Sequence, residues 1–322
     1  MKTFPIPHTN LKASRIAYGC GSIGGSWDET PRTDSVRAKA LAVLKASFDC
    51  GINFYDHADI YTYGKSEAVF AEVVRELGHK RDQFILQSKV GIRFKGDPTP
   101  NAVGRYDFSY ERIVSGVDGS LKRLGTDHLD ILLLHRPDAL MEPEEIARAF
   151  DVVQKSGKVR HFGVSNHNGA QLELLRKYVK QPFVANQLQF SLVHTGLIDA
   201  GISVNQAKPS VGCEGILDYC RLHDIAIQAW SPMTNGRAIG KWTAGKPDDE
   251  LARVVAEYAA GKKVPADAIA LAWLMRHPAR VQPIIGTMNP ERVAASSQAD
   301  AVELTREEWY RLYTAARGQG VP

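Results

Sequence analysis

Short apolar runs alternate along this chain with longer stretches whose apolar positions recur every three to four residues. The runs RIAYG, INFYD, QFILQSK, LDILLLH, HFGVS, FVANQLQF, IAIQAW and VQPIIG read as buried strands by length and β-branched content. Helical periodicity follows each of the eight, from SVRAKALAVLKASFDC after the first to PERVAASSQA after the last. Apolar strands alternating with helices predict a parallel sheet, and eight such units in about 300 residues predict a closed (β/α)8 TIM barrel. Ahead of them, two extended runs split by Pro and Asn within residues 2–19 predict an N-terminal β-hairpin. No composition shift or linker divides residues 1–322, so the expectation is a single barrel domain. Three irregular stretches, 91–107, 192–211 and 233–247, predict long loops at the C-terminal face, where such barrels cover a ligand.

Composition narrows the function classes. The 322 residues are 44% hydrophobic, enough for a large core. The 40 basic and 36 acidic residues leave a net charge of +4 without long runs, which gives no nucleic-acid footprint. Cys20, Cys50, Cys213 and Cys220 show no CxxC or zinc-type spacing. No apolar stretch is long enough to span a membrane and MKTFPIPHTN has no signal-peptide core, so a cytoplasmic protein is expected.

Four polar residues mark the candidate chemistry. Asp56 and Tyr61 lie in GINFYDHADIY, Lys89 in FILQSKVG and His135 in LDILLLHRPD, each at or just past the C-terminal end of a strand run. Ligands collect at that end of parallel sheets. A phenol is a weak acid near neutral pH unless its anion is favoured. Lys89 supplies the cation that would favour it, and Asp56 a carboxylate to hold the ammonium. With His135 orienting a carbonyl oxygen, the set matches general acid catalysis.

These stretches, together with LGTDHLD, GKVRHFGVSNH, NQLQFSLV, IQAWSPM and PIIGTMNPERV in that order, resemble the aldo-keto reductase superfamily over nearly the whole chain. The pair LHRPD and GKVRHFGVSN, with His57 in DHADIY, resembles its bacterial-type oxidoreductases. The resemblance implies a catalytic tetrad of Asp56, Tyr61, Lys89 and His135, with Tyr61 as proton donor. It implies that Ser165, Asn166 and Gln187 hold a nicotinamide carboxamide and that Trp230 stacks on the ring. By the same resemblance, Ser231, Pro232, Met233, Asn235 and Gly236 cover the pyrophosphate. Gly286, Thr287, Met288 and Arg292 then bind the adenosine 2′-phosphate. The cofactor so implied is NADP, used as NADPH, and NAD stays open because Gly286, Ala295 and Ser296 depart from the residues of several branches. Arg292 carries much of the case for NADP, since a planar guanidinium suits a phosphate.

GCGSIGG follows the first strand without opening a helix, so it is no GxGxxG dinucleotide fingerprint and reads as a turn lining the mouth. Trp27, Phe94 and Trp242 are expected to line the substrate pocket from loops. His57 and Asp59 beside Asp56 look like part of a metal cluster, but too few histidines accompany them, and no metal is expected. The partner expected is a small-molecule carbonyl or alcohol, with neither nucleic acid nor membrane; nothing indicates an oligomeric state. The reading is an NADP-dependent reductase of aldehydes or ketones. Its rival is a slow-turnover accessory or sensor subunit, like the superfamily's channel-associated members.

Overall fold

The protein is described here by a computed structural model covering residues 1–202, 215–239 and 250–321. Trp242 and Cys213 lie outside the described residues, as do parts of the second and third expected loops.

All eight expected barrel strands form. They are β3 (Ala17–Gly19), β4 (Phe54–Asp56), β5 (Ile85–Val90), β8 (Leu129–Leu134), β9 (Val159–Ser165), β10 (Phe183–Gln189), β11 (Ala226–Trp230) and β12 (Gln282–Ile285). They pair in parallel, in chain order, and β12 closes on β3. The expected N-terminal hairpin is β1 (Thr3–Pro5) with β2 (Lys12–Ser14), antiparallel. A second hairpin, β6 (Ile92–Arg93) with β7 (Arg105–Tyr106), stands inside the first long loop and was not legible in the sequence. Strands of two residues carry too few side chains to show a period.

Residues on alternate positions of a strand face opposite sides, so each barrel strand splits its apolar set between two cores. Inside, Ala17, Phe54, Ile85, Ile131, Leu133, Ala185, Ala226 and Ile284 form one cluster, and Ile6 and Ala13 of the hairpin segment close it from the N-terminal end. Outside, Tyr18, Tyr55, Leu86, Leu132, Phe162 and Ile227 pack under the helices.

The helices are α1 (Asp34–Asp49), α2 (Lys65–Glu76), α3 (Tyr110–Leu124), α4 (Pro143–Lys155), α5 (Gly169–Arg176), α6 (Gly196–Ile202), α7 (Ile216–Leu222), α8 (Glu250–Lys262), α9 (Ala266–Met275), α10 (Pro290–Ser297) and α11 (Arg306–Arg317). Helix α11 went unread although TREE at its start is a capping box, with Thr305 and Glu308 each accepting from the other's backbone N–H. It docks through Trp309, stacked on Trp273 at 4.9 Å between ring centroids. Each indole N–H donates to the other residue's carbonyl, at 3.1 and 3.0 Å, so both buried donors are satisfied. No described helix is long and apolar enough to cross a membrane.

Candidate active site

The upper interior of the barrel is polar. Gln87, Gln187 and Gln228 replace aliphatic residues at inward positions of β5, β10 and β11, and Gln282, at the start of β12, extends the amide chain toward the N-terminal end. Gln228 accepts from Gln87 at 2.8 Å and from Gln187 at 3.2 Å, and donates to Gln282 at 3.3 Å; Gln282 donates to the Ser14 carbonyl at 2.8 Å. Two of these amides converge on Asp56: its Oδ1 accepts from Gln87 at 2.6 Å and from Gln187 at 3.0 Å. The carboxylate is thus held on one side by neutral donors. Gln87, Gln228 and Gln282 were missed; the available signal was their spacing of two from Lys89, Trp230 and Ile284, which puts each pair on one strand face.

On its other side Asp56 meets Lys89. The ammonium, fully buried, donates to Asp56 Oδ2 at 2.7 Å, to the His57 carbonyl at 2.9 Å and to the Tyr61 hydroxyl oxygen at 2.9 Å. All three of its N–H bonds are therefore used. Burial acts to lower the Lys89 pKa, but Asp56 and Tyr61 more than offset it, and the net direction is upward. Tyr61 receives the lysine's hydrogen bond on its oxygen, which leaves its own proton available toward the cleft. Its pKa moves up: burial is the largest influence, and the opposing pull of Lys89 does not overcome it. Lys89 does pull this pKa down, as the sequence suggests, but desolvation outweighs it. The phenol is consequently neutral, a donor, throughout the physiological range.

His135 follows β8, with its backbone N–H donating to the Val90 carbonyl at 2.9 Å. Its ring lies edge-on to Tyr61 with centroids 6.0 Å apart. Burial first, then the charges of Lys89, Arg136 and Arg112, push its pKa well down, so the imidazole is neutral. Nδ1 is buried without a hydrogen-bond partner.

These groups open onto a cleft of about 500 Å³. Of the residues expected at the cofactor, Ser165, Asn166, Gln187, Trp230, Ser231, Pro232, Met233, Asn235, Gly236, Gly286, Thr287 and Arg292 line it, together with Asp56, Tyr61, His135 and Trp27. Gly21 and Ser22 of GCGSIGG line it as expected. Lys89 sits behind Tyr61 rather than on the wall. Asn166, at φ 61°, donates to Ser165 Oγ at 2.8 Å and accepts from the Trp230 indole at 3.0 Å. Trp230 in turn lies under the Arg136 guanidinium, 5.4 Å from the ring centroid. The Gln187 amide nitrogen is committed within the barrel, so its oxygen is the atom left for a ligand.

Two expected residues stand elsewhere, and a third lies outside the described residues. Met288 does not line the cleft; the Tyr18 hydroxyl donates to its sulfur at 3.9 Å and to the Thr287 carbonyl at 2.9 Å. Phe94 stacks on Tyr63 over a neighbouring hollow, 4.4 Å between centroids, because the second hairpin carries it away from the mouth. Trp242 is outside the described residues. Among the described residues no group of three or more His, Cys, Asp or Glu could hold a metal ion. His57 packs edge-on to Phe70, and burial takes its imidazole down to about 3.

The C-terminal face of the barrel thus gathers an acid, an amine, a phenol and an imidazole beside a long cleft, an arrangement suited to proton transfer. The chain belongs to the Aldo/keto reductase family, whose model matches residues 15–316. It is similar to oxidoreductase YdhF of Escherichia coli, 36% identical over 282 residues covering 88% of this chain and 89% of that one. It is also similar to a 6-dehydroglucose reductase of Agrobacterium fabrum, 34% identical over 97% of both chains. A glycerol dehydrogenase from Gluconobacter oxydans shares the fold with a TM-score of 0.79 at 23% identity, over 99% of this chain and 96% of that one.

Proposed function

We propose that the protein reduces aldehydes or ketones to alcohols with NADPH, Tyr61 acting as general acid. The observation that carries this reading is the Lys89 ammonium shared among Asp56, the His57 carbonyl and the Tyr61 oxygen. A reduced nicotinamide, when bound, supplies the hydride that reaches the carbonyl carbon. This chain's residues do the rest. His135, neutral, donates to the carbonyl oxygen and orients it. Tyr61 gives its hydroxyl proton to that oxygen, and the phenolate left behind is held by Lys89. Alcohol oxidation uses the same groups in reverse.

The cleft suits a nicotinamide dinucleotide. Ser165, Asn166 and the Gln187 oxygen would meet the carboxamide, Trp230 the ring, and residues 231–236 the pyrophosphate. That last segment has left-handed backbone at Ser231, Thr234, Asn235 and Gly236, which turns it back over the cleft. At the far end stands Arg292, whose Nε and Nη2 both donate to Asp267 Oδ1, at 3.0 and 2.8 Å. The ion pair orients the guanidinium, and its remaining N–H groups suit a 2′-phosphate. Arg292→Ala is expected to weaken NADPH binding roughly tenfold or more and NADH binding much less, measured by quenching of protein fluorescence. Equal loss for both cofactors removes the NADP assignment.

Trp27 stands edge-on to Tyr61, 6.0 Å between centroids, and gives the substrate an apolar flank. Loss of NADPH absorbance against an aldehyde and ketone panel tests the whole reading. Sugar aldehydes head that panel, since one relative is a 6-dehydroglucose reductase. Binding of NADPH without turnover on any carbonyl would favour the accessory-subunit reading instead.

A further inference from the structure

The turn that carries Tyr61 is strained. Immediately after it Thr62 and Tyr63 adopt left-handed φ of 48° and 58°, and Gly64 follows at 81°. Side-chain-bearing residues hold such angles only where their surroundings impose them. Two ties bind this turn to the second hairpin. On one side Tyr63 stacks on Phe94. On the other, Asp59 forms an ion pair with Arg112 of α3, whose Nη2 also donates to the Ile92 carbonyl at 3.0 Å. The Asp59 backbone N–H donates to the Lys89 carbonyl at 3.0 Å. Arg112 therefore links the segments that follow β4 and β5, the strands bearing Asp56 and Lys89.

This link is costly to bury. Asp59 and Arg112 are 9% and 8% exposed, and Asp59 Oδ1 and Arg112 Nε are buried without partners. Burial drives the Asp59 carboxyl up to about 6, against the lowering pull of Arg112 and Arg123, with Glu67 adding to the rise. A buried pair whose desolvation outweighs its attraction does not stabilise a fold. The seat for Arg112 is unfavourable too. Gly116, within α3, lies where a methyl group would run into both the Arg112 guanidinium and the Val90 side chain, and glycine inside a helix is worse than alanine.

We propose that Asp59 and Arg112 are a positioning pair for the proton donor, holding the strained turn so that the Tyr61 hydroxyl stays on Lys89. This rests on Tyr61 being that donor. It also gives opposite pH signatures. Because the folded Asp59 pKa is raised from 3.8 to about 6, its contribution to stability is full below the lower value and is lost as pH rises through the upper one. Positioning by an ionised pair runs the other way, and kcat falls as pH drops below about 6.

The test compares Asp59→Asn, Gly116→Ala and Tyr61→Phe with the wild-type enzyme. It measures thermal midpoint, NADPH binding by fluorescence, and kcat and KM across the inflection near pH 6. Asp59→Asn leaves the buried Arg112 without its carboxylate and should lower the midpoint; well below that midpoint it should still lower kcat roughly tenfold or more, change the carbonyl KM by about twofold or less, and lose the inflection. Gly116→Ala, which crowds the guanidinium and the Val90 side chain but leaves both charges, should lower kcat similarly at temperatures where it is folded. Unchanged kcat and pH profile in Asp59→Asn, with Tyr61→Phe inactive, overturns the positioning role and leaves the donor in place. A kcat loss that appears only within the melting transition of both variants, and is absent well below it, also overturns it. An active Tyr61→Phe overturns the donor reading itself.

Discussion

Tyr61→Phe is expected to lower kcat/KM for carbonyl reduction by roughly a hundred- to ten-thousandfold, the usual contribution of a positioned general acid. The ring keeps its edge-on contacts with Trp27 and His135, so the cleft keeps its shape. What is lost is the proton facing the carbonyl and the acceptor for one Lys89 N–H. Leaving that buried N–H unpaired costs about 1–3 kcal/mol of stability, visible as a lower thermal midpoint. NADPH binding should be unchanged, since no expected cofactor contact passes through the phenol. Reduction at a rate near wild type would remove Tyr61 from the mechanism. The wild-type pH profile provides a companion measurement. Because burial raises the Tyr61 pKa above the ordinary tyrosine value, the donor stays protonated at neutral and mildly alkaline pH. The kcat/KM for reduction should therefore lose no Tyr61 proton at neutral or mildly alkaline pH. A Tyr61-dependent fall near neutrality, absent from Tyr61→Phe, would mean that Lys89 outweighs burial after all.

Lys89→Met should be the more damaging change overall. The thioether fills most of the lysine's volume, yet Asp56 loses its only cationic partner among the described residues and keeps only the Gln87 and Gln187 donors. Breaking a buried pair from one side costs about 3–5 kcal/mol. Reduction should be nearly abolished even where the variant is still folded, because nothing remains to hold the phenolate. The linkage has a definite sign. With its folded pKa raised above 10.5, Lys89 contributes stability that is fully present below that value and lost as pH rises past it. The destabilisation of Lys89→Met relative to wild type should thus be constant at neutral pH and shrink only in strong alkali. A variant with full activity and unimpaired cofactor quenching would refute the role given to the ammonium.

The two variants draw on what was most legible in the sequence. Asp56, Lys89 and His135 each interrupt or end an apolar run; one ionisable strand end is commonly a solvated rim, but three on neighbouring parallel strands gather at the face where ligands bind. Other elements were less legible for identifiable reasons. Gln87, Gln228 and Gln282 look like ordinary polar positions until the barrel closes and turns them inward. Phe94 was expected at the substrate, but the direction of a loop aromatic depends on the loop's own fold, here a hairpin that stacks it on Tyr63. Asp267 was not singled out at all, because it lies 25 residues from Arg292 and on a different helix.

Periodicity and the polar ends of strands determined the barrel, the order of its units and the candidates Asp56, Lys89 and His135, because these are written in local alternation and strand propensity; the candidate cofactor residues came from the family resemblance of the motifs. Tertiary structure alone decided which atoms meet: the three acceptors around the Lys89 ammonium, the amide layer beneath Asp56, the ion pairs of Arg292 and Arg112. Those contacts join residues tens to hundreds of positions apart. Their distances and their desolvation arise only when the sheet closes, and it is desolvation that leaves Tyr61 a neutral acid and His135 a neutral imidazole.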